Sequence, residues 1–444
     1  MNAPPDVRVA AGDVLVAVAR KRRTLGAQLD RTRQQFGDER DRALLQELTT
    51  GVCRWRAAID TLLEPCCNRP LSAVDEFTLA ALRVAMYQLR WLDRVPAHAA
   101  VHAAVNAARE RAGDRAAGFV NAVLRSYLRK SPLPALPERP GPGASRRQLL
   151  TYLSITLSHP MWLVARWLDR YGFEATEAWC RFNITVPDMS VRAVRPATDL
   201  RAAFEAAGID VVASPHAPDV LRLQRGAWSR LPQQVRDVLM IQDEASALVA
   251  HDVGAQAGDV VLDLCAAPGG KSVLLWQDMQ ATGTLITADR RQARLHVLRQ
   301  ALRAADVPVR TVQLDAVEPL PFGQVFDRVF VDAPCSGLGT LRRDPDIKWH
   351  ITLDDLPRLA ETQRAILAQA AAVVRPGGTL VYATCSSEPD ENEHVVSAFL
   401  ATHPEFRSEP LTGSSVDADG FRRTRPDRDG LDAFFAARLV RAQA

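Results

Sequence analysis

The sequence predicts an α/β protein in which a doubly wound, Rossmann-like domain follows an all-α bundle and a small mixed α/β domain. Three observations carry this expectation. From about Val238 onward, short β-branched runs alternate strictly with helix-like stretches, the pattern of βαβ units around a buried, largely parallel sheet. The first 131 residues instead place apolar residues three and four apart and contain no alternating runs. Between the two, Ser131 to Arg147 (SPLPALPERPGPGASRR) concentrates proline and glycine, which neither a helix nor a central strand accommodates.

Taken in order, the bundle over residues 1–131 is carried by Val14, Leu15 and Val18, then by Leu79, Leu82, Met86 and Leu89. Pro96 interrupts before a helical stretch through Val101 to Ala107, and Phe119, Val123 and Tyr127 mark the last helix. Residues 132–147 read as a linker. Residues 148–237 read as the small domain: a helix from Arg147 to Tyr171, a second helix, MSVRAVR (Met189 to Arg195), a helix near Ala202 to Ala206, and DVVAS. Residues 238–444 hold the strands VVLDL (Val260 to Leu264), TLITAD (Thr284 to Asp289), VRTVQLD (Val309 to Asp315), RVFVDA (Arg328 to Ala333) and TLVYAT (Thr379 to Thr384). The longest intervening helix spans Asp354 to Val374.

A chain of 444 residues exceeds one ordinary domain, and 47% apolar with 24% charged residues is a soluble globular composition. No run of eighteen uncharged apolar residues exists, and the opening MNAPPDVRVAAGD lacks the order of a signal peptide, so a cytoplasmic, membrane-free protein is expected. Seven cysteines (Cys53, Cys66, Cys67, Cys180, Cys265, Cys335, Cys385) without CxxC spacing argue against a disulfide framework and against a zinc site. No metal and a monomeric state are expected. The net charge of +3 divides unevenly: residues 1–131 carry 21 Lys+Arg against 14 Asp+Glu, and the rest 34 against 38. A basic first segment on a mildly acidic remainder points to a polyanion such as nucleic acid.

VLDLCAAPGGKS (Val261 to Ser272) sets a strand, a small-residue turn and a helix start in sequence, so that backbone approaches a ligand closely and free N–H groups face it. The turn assigns Cys265, Ala266, Ala267, Pro268, Gly269, Gly270 and Lys271 to cofactor binding. A phosphate-binding loop is excluded because Cys265 occupies the place of its first glycine. Asp289 ends the second strand at the distance where a carboxylate meets ribose hydroxyls, and Asp315 ends the third at an equivalent height. Carboxylates here suit adenosine without a phosphate cluster, and S-adenosylmethionine is that ligand.

Two further strand ends carry thiols: Cys335 in DRVFVDAPCSGLG (Asp327 to Gly339) and Cys385 in TLVYATCSS (Thr379 to Ser387). Groups at the carboxyl ends of neighbouring parallel strands face one crevice, so two thiols there suggest covalent chemistry. Position alone does not say which one attacks.

The blocks CAAPGGK, DAPCSG followed by RRDPDIKW, and ATCS followed by PDENE resemble the signatures of RNA (cytosine carbon-5) methyltransferases. LLQELTTGVCRW, MYQLRWL, VPAHAAV, FVNAVLR, SHPMWLVARW and IQDEAS extend the resemblance over nearly the whole chain, to the bacterial RsmB/Sun/Fmu type with its amino-terminal NusB-like domain. The resemblance implies methylation of cytosine carbon-5 in small-subunit (16S) ribosomal RNA. It implies Cys385 as nucleophile at carbon-6, Cys335 as the thiol that resolves the adduct, Asp332 near both base and methyl donor, and Lys271 reaching Asp332. The physical demand for a nucleophile stands by itself, since carbon-5 of cytosine is too weak to take a methyl group until a thiolate adds at carbon-6. Transfer RNA as substrate, or a non-catalytic RNA-binding adaptor of antitermination type, are the alternatives.

Arg342, Arg343 and Lys348, and the tract Arg422, Arg423, Arg425, Arg428, are expected to meet RNA phosphates. Two departures from the family pattern stand out. Val194 replaces an asparagine in VRAVR, and Ala433 replaces a glycine in LDAFF, so the backbone there must suit alanine.

Overall fold

The computed structural model describes residues 6–21, 24–195, 200–223 and 228–443, and the chain forms two compact units. One comprises residues 1–185 together with 341–353; the other comprises 186–340 and 354–444. The opening residues 1–5 of the amino-terminal segment, and Ala444, lie outside the described residues.

The first unit contains helices α1 (Val7–Ala19), α2 (Leu25–Arg33), α3 (Glu39–Leu63), α4 (Glu76–Trp91), α5 (Ala97–Ala112), α6 (Asp114–Arg129), α7 (Arg146–Thr151) and α8 (Met161–Ile184). Side-chain caps start several of them: Asp38 accepts from Arg40 N and Asp75 from Thr78 N. The expected apolar stripes face inward, with Val14, Val18, Leu82 and Met86 all buried. Helices α3 and α4 cross at Gly51, where a Cβ would sit 2.0 Å from the Tyr87 ring, so only glycine permits that approach.

The helix expected from Arg147 to Tyr171 is broken. A π turn over Tyr152–Thr156 ends α7, and Pro160, which has no N–H to continue the ladder, caps the start of α8. The expected second helix is the continuation of α8 through Gly172, whose φ of +76° bends it. Residues 146–184 thus group with the amino-terminal helices rather than with the small sheet. The proline-rich segment also lies on this unit, since Thr156 Oγ1 donates to the Pro137 carbonyl and Arg139 pairs with Glu177.

The second unit opens with a four-stranded antiparallel sheet built from β1 (Met189–Ala193), β2 (Val211–Ala213), β3 (Val220–Leu223) and β4 (Leu239–Ile241), in the order β2-β3-β1-β4. Helices α9 (Leu200–Ala206) and α10 (Gln233–Arg236) belong to it, and α11 (Glu244–His251) leads to the large sheet. Val194 is buried among Ala217, Val220 and Leu248, so the missing amide is replaced by an apolar contact.

The large sheet alternates β5 (Val260–Leu264), α12 (Gly270–Asp278), β6 (Thr284–Asp289), α13 (Gln292–Ala304), β7 (Thr311–Gln313), β8 (Phe326–Asp332), α14 (Asp355–Val373), β9 (Val374–Thr384), α15 (Glu393–Thr402), β10 (Phe406–Glu409), β11 (Arg422–Arg423), α16 (Pro426–Asp429) and β12 (Phe435–Arg441). Its order is β10-β12-β9-β8-β5-β6-β7, with β11 beside β12. The five central and right-hand strands run parallel, while β12 and β10 add an antiparallel edge. Strand β7 is shorter than expected, because only Thr311 to Gln313 pair with β6. The chain reverses from β6-side to β9-side around β5 and β8, and the loops leaving these strands' carboxyl ends share one crevice. Among the described residues, no helix is long and apolar enough to cross a membrane.

Candidate active site

A pocket of about 550 Å³ lies over these strand ends, wholly within the second unit. The structure brings Cys265, Lys271, Asp289, Asp315, Asp332, Cys335 and Cys385 together in its wall. Ala266, Ala267, Pro268, Gly269 and Gly270 are not among the lining residues; they form the turn between β5 and α12, whose ends Cys265 and Lys271 lie in the wall. In that turn Cys265 adopts φ +63° and Gly269 φ +111°, where a Cβ would come within 2.9 Å of Leu298. The turn is held from below, because buried Arg192 of β1 donates to the Gly270 carbonyl at 2.7 Å and to Gln242 at 2.5 Å.

At the β5 and β6 ends the carboxylates are short of donors. Asp263 is fully buried and receives Ser272 Oγ on Oδ2 at 2.5 Å, while its Oδ1 has no hydrogen-bond partner among the described residues. Burial pushes this carboxyl up to about 7, with Ser272 opposing. Asp289 caps its own turn by accepting Arg291 N at 3.0 Å, and its buried Oδ2 accepts no hydrogen bond, with Arg294 Nε 3.5 Å away. Asp315 sits at the rim, 3.3 Å from Arg290. Leu314, Ala316, Val317 and Ile366 supply apolar wall. An adenosine-bearing ligand fits this donor set: the spare buried acceptor of Asp289 and the rim carboxylate of Asp315 for ribose hydroxyls, apolar surface for a base, and a glycine turn at a helix start.

At the β8 and β9 ends, Cys335 Sγ and Cys385 Sγ stand 3.3 Å apart. The hydrogen bond to Cys385, followed by burial, pushes the Cys335 thiol well above its usual range. Asp332 Oδ2 accepts Lys271 Nζ at 2.7 Å. Burial alone would lower the Lys271 ammonium, but the charge and hydrogen bond of Asp332 outweigh it and the group is raised, with Cys385 adding to the effect. Phe434 lies under the same ammonium, 5.5 Å from it. Gly339 stitches the loop: its N–H donates to the Cys385 carbonyl and its carbonyl accepts from Ala433, each at 2.9 Å. A Cβ at Gly339 would lie 1.9 Å from the Ala433 oxygen. Ala433 itself needs no positive φ, so the alanine costs no backbone strain.

The cation-rich stretches are corrected. Lys348 is buried in the first unit, where it donates to the Arg54 carbonyl at 3.0 Å and burial lowers it to about 7; it is not a phosphate contact. The neighbouring Trp349 donates to the Cys53 carbonyl, and Arg342 lies over the Phe182 ring, so 341–353 forms part of that unit's packing. In the second tract, Arg422 forms a buried two-point pair with Asp252. Arg423 pairs with Glu393 and Asp417, Arg425 with Asp427, and Arg428 with Asp429. Arg422 is thus part of the interior rather than an RNA contact, Arg423 and Arg425 are partly buried in local ion pairs, and Arg428 stays exposed.

Sequence reasoning missed Asp263, Arg294, Phe434 and Glu391. Asp263, Phe434 and Glu391 lay within quoted blocks, VLDLCAAPGGKS, LDAFF and PDENE, but the contacts that give them a role, such as that of Glu391 with Ser336, come from far away in sequence.

The model of the family described as 16S rRNA methyltransferase RsmB/F matches residues 252–440. The NusB family model matches residues 5–129, and that of the RsmF/B-like ferredoxin-like domain matches 159–228. A probable ribosomal RNA small subunit methyltransferase B of Bacillus subtilis is 34% identical, covering 89% of this chain and 90% of its own. The ribosomal RNA small subunit methyltransferase B of Vibrio cholerae is also 34% identical, covering 98% and 97%. Among solved structures, a methyltransferase homologue from Pyrococcus horikoshii shares the fold with a TM-score of 0.58 at 24% identity, over 67% of this chain and 100% of its own. The cofactor is S-adenosylmethionine, in keeping with the pocket's donor set. With 34% identity sustained over nearly its full length and all three domain models in order, the chain belongs to the RsmB/F family of ribosomal RNA methyltransferases.

Proposed function

We propose that this protein methylates carbon-5 of cytosine in 16S ribosomal RNA through a covalent adduct between Cys385 and carbon-6. The observation that carries the reading is a pair of thiols 3.3 Å apart in the wall of a pocket that also holds the Lys271–Asp332 pair and the cofactor carboxylates. S-adenosylmethionine, held by the 265–271 turn, Asp289 and Asp315, supplies an electrophilic methyl group when bound. The helical NusB-like domain and the ferredoxin-like domain would orient the RNA.

Two features favour Cys385 as the attacking sulfur. The Cys335 thiol, held well above its usual range, keeps its proton 3.3 Å from Cys385, and Cys385 is among the groups that act on the Lys271 ammonium. Attack forms the Cys385 sulfur to carbon-6 bond and moves a π electron pair into the ring, making carbon-5 nucleophilic. Lys271 and Asp332 offer a donor and an acceptor, side by side, to the polar edge of the flipped base.

Once carbon-5 carries the methyl group, its proton must leave so that the carbon-5 to carbon-6 double bond can reform and expel the Cys385 thiolate. Bonding of Cys385 to carbon-6 removes the hydrogen bond that most strongly holds the proton on Cys335. Cys335 can then give up that proton to solvent water and, as the thiolate, take the proton from carbon-5. Cys385→Ala is expected to abolish methyl transfer while cofactor affinity stays near normal. Turnover retained in that variant would sink the nucleophile assignment. Cys335→Ala is expected to form the thioether and release it slowly, leaving a denaturation-resistant protein–RNA band on gels with cofactor present. Normal turnover without that band would remove Cys335 from the mechanism.

A further inference from the structure

We infer that Glu391 is a positioning residue: its carboxylate clamps the two cysteine loops together and so sets the spacing of the two sulfurs. The inference rests on the proposed roles of Cys385 and Cys335. Glu391 ends a short 3-10 turn, Pro389–Glu391, and is fully buried. Its Oε1 accepts the Ser336 backbone N–H at 2.8 Å and Gln363 Nε2 at 3.0 Å. Its Oε2 accepts Ser336 Oγ and Ser386 Oγ, both at 2.5 Å.

Ser336 directly follows Cys335, and Ser386 directly follows Cys385. One carboxylate therefore grips the residue next to each reactive sulfur. The strand ladder does not do this work, because the β8–β9 pairing ends at Asp332 and Ala383, with one more bond from Ala333 N to the Ala383 carbonyl. Beyond that point the two loops meet through one backbone bond, from Gly339 N–H to the Cys385 carbonyl, and otherwise through side chains. Asn392 adds to the clamp, accepting from Thr384 Oγ1 at 2.5 Å and donating to the Ser386 carbonyl at 3.0 Å, so both neighbours of Cys385 are pinned.

A carboxylate offers about four acceptor sites, and all four are taken here by protein donors. Glu391 consequently has no free site for substrate, and it acts through Ser336 and Ser386. Burying an unsatisfied carboxylate is costly, which makes a donor in each loop a requirement of this arrangement. Reach is the other requirement. Glu391→Asp retracts the carboxylate by one methylene, so it cannot hold both loops at once. Glu391→Gln keeps the reach: its oxygen still accepts the Ser336 N–H, and the serine hydroxyls can turn to accept from its amide.

Single-turnover adduct formation, measured on the full chain per active site with saturating RNA and S-adenosylmethionine, tests this. Glu391→Asp is expected to slow the adduct-forming step by about tenfold to a hundredfold, since a misplacement near 1 Å has effects of that order. The KM for RNA and the Kd for S-adenosylmethionine are expected to stay within about twofold, and Glu391→Gln to recover to within about threefold of the parent rate. A residue that merely supports folding would lower the number of active sites and leave the rate at each one unchanged. A parental per-site rate in Glu391→Asp, or a Glu391→Gln variant as slow as Glu391→Asp, overturns the clamp. Should Glu391→Asp fail to fold, the Ser336→Ala, Ser386→Ala double variant removes both hydroxyl donors and must show the same loss; a parental rate there also overturns it. Cys385→Ala separates the two ideas. An active Cys385→Ala unseats the covalent reading, whereas a dead one beside parental rates in the clamp variants unseats Glu391 alone.

Discussion

The two halves of the crevice treat buried carboxylates in opposite ways. At the β8 and β9 ends, Glu391 has every acceptor site filled by the protein. At the β5 and β6 ends, Asp263 and Asp289 each keep a buried oxygen that accepts nothing from the described residues. An unmade hydrogen bond in the interior costs about 1–3 kcal/mol, so a fold keeps one where a ligand completes it. A saturated buried carboxylate is scaffold; Asp289, which lines the pocket with an oxygen to spare, is receptor, whereas Asp263 lies behind the wall. The difference assigns rigidity to the thiol half, where sulfur spacing decides the chemistry, and readiness to the cofactor half.

Away from the crevice, the strongest test of a buried carboxylate as scaffold is Arg422→Met, because each oxygen of Asp252 accepts from Arg422, from Nε at 2.5 Å and Nη2 at 2.7 Å, in the interior. Removing one partner of a buried pair leaves the other uncompensated and costs about 3–5 kcal/mol. Urea unfolding should show that loss, while RNA affinity at a temperature where the variant stays folded should be unchanged at each salt concentration. A stability change under about 1 kcal/mol, together with a weaker salt dependence of RNA binding, would return Arg422 to the RNA surface.

On the unsaturated side, Asp263 predicts a pH dependence of smaller span. Burial raises its carboxyl from 3.8 to about 7, so the folded state holds the proton more tightly than the unfolded chain does. Stability from this group is complete below about pH 4 and is lost as pH rises towards about 7. Three pKa units at about 1.4 kcal/mol each make the loss up to about 4 kcal/mol for the cofactor-free protein. Comparing urea unfolding of the parent and Asp263→Asn at pH 4.5 and 7.5 isolates it. The parent should lose more stability than the variant over that interval, and equal losses would show that Asp263 is ionised without strain.

How far the sequence foretold these two halves follows from the range of the interactions that build them. Cys335, Cys385, Asp289 and Asp332 were placed correctly in one crevice because a β-branched run fixes a strand, and parallel order fixes which end of it faces the ligand. Each such inference spans a few residues. The partner of a charge spans hundreds: Arg422 finds Asp252 170 positions away, and Lys348 finds the Arg54 carbonyl 294 away. Composition shows that cations are present and says nothing of what neutralises them, so both basic stretches were assigned to RNA although one cation of each, Lys348 and Arg422, is buried. Glu391 failed to stand out for the same reason, since its grip on Ser336 reaches across 55 positions. The break in the helix after Thr151 was legible in principle, because Pro160 marks it, but the apolar period runs on through the interruption.

Asp289→Asn tests the receptor side at its ligand rather than through stability. Asparagine retains an acceptor for the Arg291 N–H but loses the charge that strengthens hydrogen bonds to ribose hydroxyls. Hydrogen bonds to a charged group contribute about 1.5–3 kcal/mol, so cofactor affinity by calorimetry should fall about tenfold to a hundredfold. The unliganded protein should unfold within about 1 kcal/mol of the parent, because Oδ2 accepts no hydrogen bond among the described residues and its ion pair with half-exposed Arg294 contributes little. The pairing of those two results is what matters. A stability loss as large as the affinity loss would mean that Asp289 holds the fold as Glu391 and Asp252 do, and the division of the crevice into scaffold and receptor would collapse at that residue.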